Sequence, residues 1–386
     1  MTKTIKVGII GAGMAGQAHA FGYRNAMMML SHELKVELYA IADPNMALAQ
    51  KVADRYGFEK AIGDIDELIA SDVDVISVAL PNFLHAEVLP KVIASGKHLF
   101  AEKPIGRNTK ESSALLALAK DSKAITGVGF SFRRLPGLAA LAQAAREGVF
   151  GEIHSARAWY LADYAADPKG ALSWRYSLEQ AGPGALLDIG SHAIDALQFV
   201  VGNVNEVTSA NLVTVIKDRP KAQVGAIGHG ASTSTETGPV TNDDIAHLST
   251  VHENGAVSQV TMSRIAHGMP NTLGVEVFGT KGSGMFDSMS GGEFHIFEAG
   301  LGEAKFNGTK RIITGPAHPY FNDVAAMPGA GVGTGYAEAF VAEIQEFLVA
   351  VNTNEPMATG FAEAHQMMKV VDASLESAAG QKPVKL

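Results

Sequence analysis

The chain contains no cysteine, which removes disulfides, thiolate metal sites and cysteine nucleophiles together. Any redox work must therefore use a bound cofactor. It also lacks a basic excess: 31 Lys and Arg stand against 40 Asp and Glu, a formal net charge of -9, whereas affinity for nucleic acid needs clustered cations to neutralise phosphates. Nucleic acid is not an expected partner. No apolar run reaches the roughly 20 residues that a bilayer demands, since even 185–201 carries Asp188, His192 and Asp195, so no membrane partner is expected either. The opening Met1-Thr2-Lys3-Thr4-Ile5-Lys6 passes straight into a strand pattern without the regions of a secretory signal. A cytoplasmic location is the resulting expectation.

With 47% hydrophobic and 18% charged residues the chain has the composition of a globular protein, and 386 residues are long for one core, so two domains are expected. Up to Val128, short β-branched runs alternate with helical stretches, the pattern of βαβ units building a parallel sheet. The strands fall at Lys6 to Gly11, Val36 to Asp43, Val75 to Leu80, His98 to Glu102 and Ile125 to Phe130. After Phe130 a helix at Leu138 to Glu147 precedes turn-separated strands at Ile153 to Ala162, Val207 to Val215, Ile245 to Glu253, Ala256 to Ser263 and Leu273 to Gly279. Their partial alternation of apolar and polar residues suits an open, mostly antiparallel sheet with helices on one face. The expected fold is an α/β Rossmann domain over 1–129 followed by an α+β substrate-binding and oligomerisation domain over 130–386. Gln223 to Asp243 and Gly315 to Gly335, rich in Gly, Thr, Ser and Pro, read as surface loops, and Phe361 to Ala379 has helical spacing.

The first strand runs into Gly11-Ala12-Gly13-Met14-Ala15-Gly16, and Gln17 to Leu30 then reads as a helix. In a strand–turn–helix the three glycines serve a tight turn, close approach of backbone to pyrophosphate, and close packing of helix on strand. The anion would rest on the helix N-terminus, with Gly11, Gly13, Met14 and Ala15 as candidate contacts. Asp43 ends the second strand, where a carboxylate can accept from both adenosine ribose hydroxyls and would repel a 2'-phosphate. NAD rather than NADP is the expected cofactor. The plainer alternative is that Asp43-Pro44 only caps the next helix.

Glu102-Lys103-Pro104 follows a strand at its carboxyl end, where open α/β sheets place ligands. Lys103 there is a candidate proton acceptor; standing alone, the tripeptide would read as a surface lysine paired with Glu102. Gly182-Pro183-Gly184 precedes an expected helix from Ala185 to Val201 that is apolar on nearly every side and therefore buried. Asp188 and His192, four apart, share one face of it, and polar residues in a buried helix need partners or a function. A carboxylate beside a histidine can orient the ring and raise its basicity; the alternative is a satisfied core pair. A metal is not expected, because a third dedicated ligand is not visible. Tyr160, Asp163 and Tyr164 close a strand, and Trp174-Arg175 lies ahead of the helix. Aromatic faces and paired polar groups suit a sugar, and an aromatic interface cluster with Arg175 in a salt bridge is the equal alternative.

These residues, in this order, resemble the glucose-fructose oxidoreductase/inositol dehydrogenase (Gfo/Idh/MocA) family of NAD(P)-dependent sugar and polyol dehydrogenases. The shared features are the glycine loop, Pro81-Asn82 with His85, Ala101-Glu102-Lys103-Pro104, Arg133-Arg134-Leu135-Pro136, Gly184 to Asp188 with Gly190 and His192, and Gly279-Thr280-Lys281-Gly282. Ala171-Leu172-Ser173-Trp174-Arg175, His318-Pro319-Tyr320-Phe321 and Gly335-Tyr336 are similar to the levoglucosan-type members. Ser131 departs from the family, which often carries Asn there.

The resemblance implies that Lys103, Asp188 and His192 handle the proton while hydride passes from a ring carbon to nicotinamide, with either Lys103 or His192 as the immediate base. It adds Pro81, Asn82, His85, Glu102, Lys103 and Arg175 to the cofactor contacts. It sets Lys103, Tyr160, Asp163, Trp174, Arg175, Asp188, His192 and Tyr336 against the substrate, a small carbohydrate or polyol. It further implies a homodimer or homotetramer built on the open sheet face. The rival readings are an NAD-dependent glycoside hydrolase on the same scaffold and a non-catalytic dinucleotide-binding regulator.

Overall fold

The computed structural model describes residues 3–29, 34–222 and 230–386; Leu30 and the first part of the Gln223 to Asp243 loop lie outside these. Two compact units are formed: Met1–Leu135 with Gly315–His365, and Pro136–Thr314 with Gln366–Leu386. Where the sequence suggests one boundary, at 129/130, the units divide the chain after Leu135, after Thr314 and again after His365.

The first unit is a six-stranded parallel sheet, β1 (Lys3–Ile10), β2 (Leu34–Ala42), β3 (Lys60–Ile62), β4 (Val75–Val78), β5 (His98–Glu102) and β6 (Thr126–Gly129), in the order β3-β2-β1-β4-β5-β6. Chain order reverses between β1 and β4, and ligands of such sheets bind beyond the strand ends at this switch point. Helices α1 (Met14–Met29), α2 (Met46–Tyr56), α3 (Ile65–Ala70), α4 (Asn82–Ala94) and α5 (Thr109–Asp121) alternate with the strands. Every residue of β4 is buried, as expected of a strand covered on both faces. β3 was not among the expected strands: three residues are too few to show a period.

The returning segment belongs to this unit because the helix Tyr336–Thr353 packs Ile344, Phe347, Leu348 and Val351 into the same core as Ile5, Val7, Val36 and Phe100. Each such side chain contributes about 1.5–3 kcal/mol on burial. α1 accepts the helix closely at Gly22, where a Cβ would meet Ile344 and the Phe340 carbonyl. Beside these apolar residues the helix buries Glu343, neither of whose carboxyl oxygens has a hydrogen-bond partner. Burial, opposed in part by Arg134, pushes its pKa well above the ordinary 4.5, so the folded chain keeps a proton that the unfolded chain releases above about pH 4.5. Stability is thereby lost as pH rises. Glu343→Gln is expected to raise the thermal midpoint at pH 8 and to leave it nearly unchanged at pH 4.5; an equal shift at both pH values in melting experiments would refute this.

The second unit is built on a nine-stranded sheet containing β7 (Ile153–Ala162), β8 (Val204–Val213), β11 (Ile245–His252), β12 (Val257–Ser263), β13 (Asn271–Gly279), β14 (Gly282–Asp287), β15 (Glu293–Glu298), β16 (Lys310–Ile313) and β17 (Val384–Lys385). A separate hairpin pairs β9 (Asp218–Pro220) with β10 (Thr237–Pro239). The large sheet is antiparallel except where β12 runs parallel to β7. Its helices include α6 (Pro136–Arg146), α7 (Leu178–Ala181), α8 (Ala185–Asp188) and α9 (Gly190–Val201). The single helix expected over 185–201 is broken at Ile189, and the path from 178 to 201 bends by 44°. An apolar run cannot reveal that break. Among the described residues no single helix is long and apolar enough to cross a membrane.

Candidate active site

The glycine loop sits at the carboxyl end of β1. Gly11 has φ 101°, a region open to glycine and strained for other residues, and a Cβ on Gly16 would overlap the Gly11 carbonyl oxygen. Gly13 faces open space. Gln17 N–H donates to the Gly13 carbonyl at 3.0 Å, which leaves the earlier N–H groups of α1, those of Met14 and Ala15 among them, outside the helical ladder and suited to a phosphate. Met14 is exposed.

Asp43 follows β2, and its carboxylate accepts from Ala12 N–H and Asn45 N–H, both at 2.9 Å. The cap of α2 is Asn45, whose side chain takes Leu48 N–H, so capping is not the role of Asp43. The carboxylate is instead joined to the glycine loop, which fits a ribose acceptor beside a pyrophosphate cradle. Arg55 reaches Gln17 Oε1 at 3.4 Å and lies over the Tyr56 ring. The loop and Asp43 together fit a dinucleotide.

Pro81 caps α4, and Asn82 and His85 are buried on its first turns. His85 Nδ1 lies 2.7 Å from the Pro104 carbonyl, tying α4 to the turn behind Lys103, and burial holds its pKa below the ordinary range, so the ring is neutral. Its Nε2 is buried without a hydrogen-bond partner, a lone pair suited to a ligand donor. Lys103 leaves the end of β5 half-buried, and its backbone N–H donates to Glu102 Oε2 at 3.1 Å. Burial would raise the Glu102 pKa, but the hydrogen bond and charge of His19 and the charge of Lys103 outweigh it and hold the carboxyl below its usual value. Tyr336 belongs to this unit as well; its hydroxyl accepts from Ser131 Oγ at 3.2 Å, so the residue that departs from the family pattern is engaged with a residue expected at the substrate.

In the second unit Tyr164 donates its hydroxyl proton to Asp188 Oδ2 at 2.6 Å. Burial first, and the Asp188 charge second, push the Tyr164 pKa well above 10, so the phenol stays a donor. His192 is buried, its ring 5.9 Å from that of Tyr160, and Tyr160 donates to Asn271 Oδ1 at 2.6 Å. The Arg175 guanidinium lies 4.4 Å from the Trp174 ring centroid. Asp163 accepts from Gly268 N–H at 3.3 Å. Arg175, expected at the cofactor as well as the substrate, is in this unit with Tyr160, Asp163, Trp174, Asp188 and His192; the glycine loop, Asp43, Lys103 and Tyr336 are in the other.

Asp243 holds α8 in place, taking Gly184 N–H at 2.7 Å and Leu186 N–H at 2.8 Å, so Asp188 is presented one turn later. Arg264 pairs with Asp244 at 2.9 Å, both fully buried, and donates to Asn242 Oδ1 at 3.0 Å and to the Arg175 carbonyl at 3.4 Å. None of Asp243, Asp244 and Arg264 was singled out from sequence. The detectable signal is Asn242-Asp243-Asp244, adjacent polar residues directly before a strand.

A family model of NAD-binding Rossmann-fold oxidoreductases matches residues 5–130, and a GFO/IDH/MocA C-terminal-domain model matches residues 138–284. A levoglucosan dehydrogenase from Pseudarthrobacter phenanthrenivorans is 36% identical over 98% of this chain and 97% of its own. An inositol 2-dehydrogenase from Rhizobium meliloti is 25% identical over 99% of each. A solved levoglucosan dehydrogenase in complex with NADH and levoglucosan superposes with a TM-score of 0.92 at 34% identity, covering 99% of both chains. Matched in order along both halves, this chain belongs to the GFO/IDH/MocA family of NAD-dependent oxidoreductases.

Proposed function

We propose that the protein is a sugar dehydrogenase that oxidises a secondary hydroxyl of a cyclic carbohydrate of the levoglucosan type to the ketone. The observation that carries this reading is the Tyr164–Asp188 pair at 2.6 Å, a carboxylate held by a phenol in the same unit as His192, whose ring lies 5.9 Å from that of Tyr160. Similarity to the levoglucosan dehydrogenase over nearly the whole chain favours the same substrate class.

NAD supplies the hydride acceptor when bound. Gly11, Gly13, Met14 and Ala15 would receive its phosphates, Asp43 the adenosine ribose, and Pro81, Asn82, His85 and Glu102 the nicotinamide half. Lys103 takes the proton of the reacting hydroxyl. Asp188, held by Tyr164, binds a neighbouring hydroxyl and orients His192, and Trp174, Arg175, Asp163 and Tyr336 grip the ring. A proton acceptor in this position contributes about 10²- to 10⁴-fold to rate. The exposed face of the nine-stranded sheet would join subunits in a dimer or tetramer.

The test is NADH production on levoglucosan, inositols, free hexoses and glycosides, run in parallel with NADP. Levoglucosan is expected to give the highest kcat/KM with NAD, and NADP a value at least about 100-fold lower, because Asp43 opposes a 2'-phosphate. Asp43→Ser should narrow that gap. Cleavage of a glycoside without net NADH would favour the hydrolase, and inactivity on every compound would favour the regulator.

A further inference from the structure

We infer that His19 is a positioning residue of the reaction: locked between Ser77 and Glu102, it fixes the carboxylate that takes the Lys103 backbone N–H, and so sets where Lys103 is presented. The inference rests on the reading of Lys103 as proton acceptor.

His19 has no exposed surface. It occupies the inward face of α1, where the buried positions His19, Ala20, Tyr23 and Ala26 follow the helical period. A histidine there must find partners, and both ring nitrogens do: Nδ1 lies 2.8 Å from Ser77 Oγ and Nε2 3.0 Å from Glu102 Oε1. Both contacts are served when Nε2–H donates to the carboxylate and Nδ1 meets the serine hydroxyl. Phe100 stands edge-on at 5.2 Å and Phe340 is tilted at 6.3 Å, so the ring is flanked by two aromatic side chains. Ser77 is otherwise out of place in the buried Val75-Ile76-Ser77-Val78 strand, and its hydroxyl is the anchor of this chain.

The chain runs from β4 through α1 to the end of β5: Ser77, His19, Glu102, then Lys103 N–H at 3.1 Å. One carboxylate oxygen belongs to His19 and the other to the lysine backbone. Without His19, Glu102 keeps only the second bond and gains freedom to rotate, and the lysine turn loses its stop. A misplacement of about 1 Å at a reacting group can cost on the order of 100-fold in rate. Glu102 feels Lys103, His19 and His85, and Glu343 and Tyr336 of the helix Tyr336–Thr353 feel Glu102 in turn. Removing His19 leaves burial as the main influence and moves protonation of this carboxyl upward.

The test compares His19→Gln, whose amide reaches toward Glu102, with His19→Asn, which reaches only toward Ser77, and with His19→Leu, which reaches neither. With levoglucosan and NAD, kcat of the Gln variant is expected within about fivefold of wild type, and that of the Asn and Leu variants lower by about 100-fold. KM for levoglucosan should stay within about threefold in all of them, and the weakened variants should lose activity earlier on acidification. Should the Leu variant not fold, the Gln–Asn comparison decides by itself. Equal kcat for Gln and Asn, or losses that follow the thermal midpoint or fall on KM, would overturn the inference. Lys103→Met is the control: an inactive control with active Asn and Leu variants refutes His19 alone, and an active control refutes the Lys103 reading as well.

Discussion

Lys103→Met is expected to lower kcat by about 10³-fold or more while NADH binds within a few-fold of wild type. Methionine approximates the length of the lysine stem but cannot accept a proton. The backbone N–H that anchors the turn on Glu102 Oε2, at 3.1 Å, survives the change, as do Gly11 and Asp43 at the other strand ends. Loss should therefore fall on the chemical step and spare the cofactor. Steady-state turnover on levoglucosan and fluorescence titration with NADH separate the two. Turnover within tenfold of wild type would remove Lys103 from the mechanism and leave His192 as the base.

Arg264→Met is expected to cost about 3–5 kcal/mol of stability, because it strips the partner from a buried carboxylate. Asp244 would keep only the N–H groups of Val215 and Ile216, at 2.8 and 2.9 Å, and its charge would remain in a site with no access to water. Methionine fills much of the volume, so the penalty comes from the charge rather than from a cavity. A drop of about 10 °C in thermal midpoint should follow for a unit of this size. Arg264 also holds the Arg175 carbonyl and lies 4.7 Å from the Tyr176 ring centroid, so KM for the sugar should rise with the loss of order around Trp174 and Arg175. The double variant Arg264→Met/Asp244→Asn should recover part of the stability by removing the stranded charge. A single variant as stable as wild type, or a double variant less stable than the single, would contradict this account.

Much of the first unit was legible in the chain itself. β-Branched runs ending in glycine or aspartate mark the ends of β1 and β2, and His98–Glu102 is a strand with the bounds expected. Ile153–Ala162 likewise forms a strand with the bounds expected. The glycine loop and Asp43 could be recognised because their chemistry is local: the turn, the helix start and the strand end lie within a few dozen residues of one another. Lys103, Asp188 and His192 drew attention for a similar reason, as polar residues where neighbours are apolar or where a strand has just ended.

Other features had no local signature. β14, β15 and β16 are short and of mixed polarity, and were not expected as strands. The break at Ile189 lies inside an apolar run that reads as continuous helix, and it is Asp243, 59 residues beyond Gly184, that holds the first turn of α8. The segment Gly315–His365 rejoins the first unit because the Ile344, Phe347 and Leu348 face finds its match on a core laid down more than two hundred residues earlier. His19 and Ser77, 58 residues apart, each resemble an isolated polar interruption until the fold brings them within 2.8 Å.

The sequence alone determined the kind of element at most positions and the glycine loop between β1 and α1, since these depend on backbone conformation and on groups close in the chain. Tertiary structure decided which buried and half-buried polar groups satisfy one another, His19 with Glu102, Arg264 with Asp244, Tyr164 with Asp188. A buried donor or acceptor must find a partner wherever the chain supplies one in space, and its position along the sequence does not say where that will be.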